Sequence, residues 1–332
     1  MTVSGFPDAL QFSRLNSAIT ELRSQSEVAR IELVTGRVAD IPTALGARTG
    51  EGQLVLKALD DLVRSQSSIQ QGLSRAGVTQ LILTNIAEPT ATLAGNLLTA
   101  VTIQDETGIG LATEQARSDL ESAISRLNQQ FAGQSLFAGD ATDQPALGDI
   151  QTLINDVAAI YTGAADAAQF TTDIDAYFND PAGGFATGFY NGGAGNAPSS
   201  EIGNGEIVNA NAKADEQEIR DVLRELATIA VAGTAPETAK RDAILSQAGT
   251  GLINAGANLT EIRSRIGVVE NRLQVGLDQL DVEQTVLNEH YNDLTAVDQF
   301  EAASRLQQLE TQLAASFTIS SRISQLSLVN FL

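Results

Sequence analysis

The chain has no cysteine, which excludes disulfides, thiol nucleophiles and cysteine-held metals. Such a chain could also cross between compartments unfolded without oxidising. Tryptophan is absent as well, methionine occurs once, and aromatics make up only 5% of the 332 residues. The apolar share of 43% therefore rests on Ala, Leu, Ile and Val, which suits long helices packed side by side better than a thick globular core. Histidine occurs once, at His290, so a histidine-cluster metal site is excluded and any histidine-based triad would hang on this one residue. Basic residues number 20 against 41 acidic ones, a net charge of −21. A surface so acidic repels phosphates, which argues against nucleic acid and against anionic lipid as partners. No apolar run reaches the ~20 residues of a membrane-spanning helix, so no membrane insertion is expected. The opening MTVSGFPDALQFSRLNSAIT has neither the basic start nor the unbroken apolar core of a secretory signal.

What the chain does have is helical periodicity at both ends. Phe12, Leu15, Ile19, Leu22, Ser26, Ala29 and Leu33 alternate steps of three and four, one apolar stripe on a helix that stops at Gly36. VADIPTALGARTGEG then reads as a connecting loop. A second helical run over about 52–104 contains Pro89, which should kink or divide it. Gly108 and Gly110 separate a third helix at about 112–132.

The character changes beyond Asn128. From there to Glu218, Lys213 is the sole basic residue against thirteen acidic ones, and seven of the fifteen aromatics fall between Tyr161 and Tyr190. The stretch 181–206 holds eight glycines. This predicts a small inserted domain with an aromatic cluster, short strands, long loops and an acidic face towards water.

Helical pattern resumes in ADEQEIRDVLRELATIAVAG, with acidic residues in its first turn and Gly233 past its end. Then Leu252, Leu259, Ile266, Leu273, Leu280, Leu287 and Leu294 fall seven apart, the signature of a coiled-coil seam. After a slip of register the stripe continues through Leu306, Leu309, Leu313, Phe317, Ile323, Leu326, Leu328, Phe331 and Leu332. If continuous from Leu252 to the end, this helix would be ~120 Å long. The expected fold is therefore mainly α: an elongated antiparallel helical bundle or coiled-coil rod formed by the N- and C-terminal segments, with a small inserted α/β domain. Terminal helices are expected over 1–40 and 299–332, a helical rod with a hairpin over 41–145 and 216–298, and the acidic insert over 146–215.

No chemistry stands out. His290 sits at the interleaved position of the heptad and reads as a polar residue at the seam or its rim. Asp173, Asp175 and Asp180 faintly follow a calcium-loop spacing, but Phe178 and Gly184 occupy the places that need Gly and Glu. Asp140, Asp143 and Asp149 read as turn and cap residues. Neither GIG at 108–110 nor NGGAGNAP sits between a strand and a helix as a phosphate loop must. No cofactor, metal or catalytic residue is assigned, and no enzyme is expected.

The last 22 residues, from Thr311, carry a single charge, Arg322. A solvated helix keeps charges on its outer face. Packing against the N-terminal helix would bury one face only, whereas neighbouring subunits would bury both. An interfacial membrane helix would need Lys and Arg on its polar face, and they are missing.

These residues carry a resemblance. DQFEAASRLQQLETQLAASFTISSRISQLSLVNFL, Asp298 to Leu332, resembles the C-terminal signature of the flagellin superfamily. SRLNSAITELRSQSEVARIELVTGR resembles that family's first helix and its closing turn, and LFAGD, Leu136 to Asp140, the segment where its rod meets a hairpin. ADIPTALG departs from the family by placing Ile41 between Asp40 and Pro42. The finish LSLVNFL is closer to the hook–filament junction branch than to flagellin itself. The resemblance implies a structural subunit of the extracellular flagellum, exported unfolded through the type III apparatus. It would assemble with itself in a ring or helix through its terminal helices. Its partners would be hook-associated protein 1, flagellin and an export chaperone. Flagellin itself is the alternative within the family, and a soluble coiled-coil binding module the alternative outside it.

Overall fold

The computed structural model of the chain describes residues 6–196, 200–201, 207–208 and 212–329. The chain forms two compact units, Met1–Val63 with Asp281–Leu332, and Arg64–Leu280.

In the first unit, helix α1 (Phe6–Thr35) runs along α9 (Gln299–Val329). Gly36 ends α1 as the stripe predicts: at φ +67° it takes the left-handed conformation that a side chain disfavours, and its N–H donates to the Glu32 carbonyl. The expected loop after it is more regular than its composition suggested. Asp40 caps a short helix α2 (Ile41–Leu45), accepting from the Thr43 N–H and hydroxyl, with Pro42 in the first turn where no N–H is needed. Those two bonds hold the exposed Asp40 carboxyl below its ordinary pKa. A 3₁₀ turn (Gly46–Arg48) leads into α3 (Thr49–Ile103). The 55-residue α3 is uninterrupted, so Pro89 does not divide it.

The C-terminal helical run, by contrast, is not continuous. It breaks between α8 (Ala239–Thr295) and α9, where Asp298 caps α9 by accepting from the Phe300 N–H at 2.8 Å. At this break two chain segments cross. Val38 N–H donates to the Thr295 carbonyl at 2.9 Å, and Val297 N–H to the Gly36 carbonyl at 3.0 Å. Arg37 lies over the Tyr291 ring and bonds Asn292.

In the second unit α4 (Glu106–Leu127) starts earlier than expected, because Asp105 caps it by accepting from Thr107 N–H. Gly108 is therefore in its first turn and Gly110 just past it, and they do not separate it from a preceding loop. Gly108 is needed there, since a Cβ would come within 2.9 Å of the Ala100 methyl. The strands β1 (Gln130–Phe131) and β2 (Gln134–Ser135) pair antiparallel around Ala132 and Gly133, both at positive φ, as a tight hairpin turn demands. Buried Arg75 of α3 holds this hairpin by donating to the Ser135 carbonyl at 3.1 Å.

The stretch expected to form short strands is largely helical: α5 (Ile150–Gly163), α6 (Ala167–Asn179) and a π-type turn at Phe185–Phe189 precede the two-residue strands β3 (Ser200–Glu201) and β4 (Ile207–Val208). The aromatic cluster is present, with Phe178 stacked on Phe185 at 5.3 Å and Phe185 beside Phe189. It is not a separate core, because these rings join one apolar cluster with Leu120, Leu223, Leu252 and Ile266. Helix α7 (Gln217–Ala232) is buried over most of its length and packs on α4, α5 and α6.

Candidate assembly surface

The inward face of the α1–α9 pair follows the predicted stripe. Ile19, Ala29, Ala302 and Leu309 are buried, and Leu15, Leu22, Leu33, Leu306, Leu313 and Ile323 half-buried. Phe317 is 44% exposed beneath the Arg23 guanidinium, 5.1 Å from the ring centre. The side chains of Phe12, Leu326 and Leu328 lie outside the described residues, as do Phe331 and Leu332. One carboxylate fixes the register: buried Glu32 accepts from the Ala39 N–H and pairs with Arg305 of α9 at 3.4 Å.

A second apolar face is the feature that the stripe did not predict. Val28, Ile31 and Val34 recur at steps of three on the outside of α1, Val34 being 79% exposed, and Leu10 lies exposed nearer its start. On α9, Phe300 is 82% exposed and Ile319 is also open. The signal was present in the sequence, because 28, 31 and 34 fall between the positions of the inward stripe. Both sides of this helix pair thus carry apolar groups, and the second half of α9 has a single charge, Arg322. Exposed Leu54, Leu56, Val282 and Val286 extend this character to the first unit's segments of α3 and α8.

The predicted seam is buried where it crosses the second unit, at Leu252, Leu259, Ile266, Leu273 and Leu280, and half-buried at Leu287 and Leu294 in the first. His290 lies at its rim, its Nε2 3.2 Å from Glu51 Oε1, both side chains nearly half exposed. The carboxylates weighed as metal ligands have structural work. Asp149 caps α5, Asp140 accepts from the Gly195 N–H, Asp180 from the Ala182 N–H, and Asp175 pairs with Arg224. Among the described residues no three His, Asp or Glu side chains gather as a metal would need, and no helix is long and apolar enough to cross a membrane.

The class defined by this fold is a long-helix protein whose N- and C-terminal helices pair. Residues 250–332 match the family described as the bacterial flagellin C-terminal helical region. That segment, α8 from Thr250 onwards and α9, is therefore similar to the C-terminal helical region of flagellin. Among solved structures, one assigned as a flagellar hook-associated protein from Vibrio parahaemolyticus has a similar fold. Its TM-score is 0.53 at 14% identity, over 75% of this chain and 97% of that one. A search of curated proteins returned no match.

Proposed function

We propose that this chain is the adaptor that joins the flagellar hook to the filament, assembling in a ring or helix of its own copies. The observation that carries the reading is the pair α1–α9, which leaves Val28, Ile31, Val34 and Phe300 exposed outside its buried inner stripe. Large apolar side chains recurring along an exposed helix face are stabilised when a partner takes them out of water. In this chain the occupant is a second copy: identical subunits repeating head to tail present the same outer face in turn, and the contact continues around a ring or helix. The ending LSLVNFL favours the junction over the filament subunit. Hook-associated protein 1 would lie on one side, flagellin on the other, and an export chaperone would cover the C-terminal helix before assembly. In this arrangement 1–40 and 299–332 line an inner tube and the acidic stretch 146–215 faces outwards.

A deletion strain decides it. Hooks are expected to form and flagellin to be shed unassembled into the medium. Normal filaments in that strain, with no second copy of the gene, would overturn the junction role. The match of 250–332 to flagellin favours a second reading, the filament subunit itself. Abundance in isolated flagella separates the two, since a junction protein is confined to a band at the filament base.

A further inference from the structure

Beyond the π-type turn the chain bends through 190–195, where its backbone is pinned to the segment 138–148. Asn191 N–H donates to the Ala146 carbonyl at 2.9 Å, Gly193 N–H to the Ala138 carbonyl at 2.9 Å, and Gly195 N–H to the Asp140 carboxylate at 3.1 Å. Between these anchors stands the one Asn–Gly pair among the described residues, Asn191–Gly192. Asn191 is exposed, and its side-chain amide makes no hydrogen bond among the described residues. The Gly192 N–H likewise has no partner among them. No side chain fits at 192, because a Cβ there would strike the Tyr190 hydroxyl, which itself donates to the Gly193 carbonyl at 3.2 Å.

The peptide that joins the pair is itself polarised. Its carbonyl oxygen, on Asn191, accepts from Gln144 Nε2 at 2.5 Å. When the Gly192 nitrogen gives up its proton, the negative charge is shared between that nitrogen and this oxygen. A donor on the oxygen therefore stabilises the anion. The nitrogen so activated has no β-carbon beside it to hinder approach, and the carboxamide of the preceding residue lies within its reach. The other described asparagines lack this combination. Those within α1, α3, α5, α6 and α8 precede residues whose N–H is engaged in helical bonding. Asn128 has both ends of its amide held by the Leu147 backbone. Asn196 precedes alanine, whose methyl group crowds the nitrogen.

We propose that Asn191 is a self-modification site, at which the Gly192 nitrogen attacks the side-chain carboxamide and Gln144 promotes the attack. The bond from Gly192 N to Asn191 Cγ forms, the Gly192 proton passes to the departing amide, and ammonia leaves behind a five-membered succinimide. Water then opens the ring at either carbonyl, giving aspartate or isoaspartate at 191. The net change is carboxamide plus water to carboxylic acid plus ammonia. Either product adds a negative charge to a stretch already rich in acid. Isoaspartate also inserts a methylene into the backbone between the 191 and 193 N–H groups, which throws the bonds to Ala146 and Ala138 out of register.

The test is incubation of the full-length protein for weeks in neutral buffer, then cleavage at glutamate and mass spectrometry. Cleavage at Glu201 separates Asn191 from Asn204, the sequence's other asparagine before glycine. The peptide ending at Glu201 is expected to gain the mass of an amide-to-acid exchange, placed at 191 by fragmentation, with an isoaspartate form present. Asn191→Gln, whose longer side chain disfavours ring closure, should abolish the gain. Gln144→Met, similar in length but without a donor, should slow it about three- to tenfold, the range one hydrogen bond supplies. The same variant should leave the rate in the urea-unfolded chain unchanged. Mere loosening of the bend would act the other way, since it frees the backbone to reach the ring geometry. An intact amide at 191 at the end of the incubation, or a folded-state rate in Gln144→Met that is unchanged or faster, would overturn the proposal. The experiment does not depend on the junction role.

Discussion

Glu225 shows how a single residue sets a pH dependence. Its carboxyl is raised from an ordinary 4.5 to about 7, chiefly by burial. The folded state therefore holds a proton that the unfolded chain releases, and the stability this contributes is full below about 4.5 and lost as pH rises to about 7. The second unit is expected to lose up to about 2–3 kcal/mol across that window through this group, and Glu225→Gln to remove that part of the slope in thermal melts. Glycines make a sharper contrast. A side chain at Gly256 of α8 would strike the Thr90 hydroxyl of α3, whereas one at Gly95 would meet open space. Gly256→Ala should destabilise by about 1–3 kcal/mol and Gly95→Ala should stabilise by about 0.5–1 kcal/mol, measured by denaturant titration. Neither residue announces this in the sequence: the distinction lies in what packs opposite, and both sit in equally helical surroundings.

At the scale of elements, periodicity carried far and local composition less so. The heptad leucines predicted α8 and its buried face because a seven-residue repeat has few alternative explanations. The stretch ADIPTALG was read as a loop from its Pro and Gly, yet Pro is tolerated in a first turn and Asp is a good cap, so a short helix forms. Gly108 was read as a separator for the same reason, although its close approach to Ala100 is what lets α4 begin there. Segment 150–179 lacks a long stripe, and its two helices were hidden by flanking glycines and aromatics. The α1–α9 pair can be tested directly. Leu309→Ala removes a buried side chain from their contact, and a loss of about 2–3 kcal/mol is expected. Amide exchange in α1 should quicken accordingly, while α7 should keep its protection.

At the scale of the whole molecule, stability and assembly should separate. Phe300→Ser and Val34→Ser alter exposed positions, so melting of the free protein should change by no more than about 0.5 kcal/mol. Incorporation into flagella should nonetheless fall sharply, and unchanged incorporation would contradict the assembly role of the outer face. This surface was only half legible. The sequence marked the low charge of the C-terminal helix and the inward stripe, but the outer set of Val28, Ile31, Val34 and Phe300 emerged only once the inward face was occupied.

The crossing at Arg37–Val38 and Thr295–Val297 has a mechanical consequence. The terminal helices are tied to the rest of the first unit by two covalent strands in parallel, cross-linked by two backbone hydrogen bonds. A single linker would act as a swivel and let twist dissipate. Two tethered legs resist rotation about their common axis and load their hydrogen bonds in shear, together. A torque applied at either end of the α1–α9 pair is thus passed on through the joint.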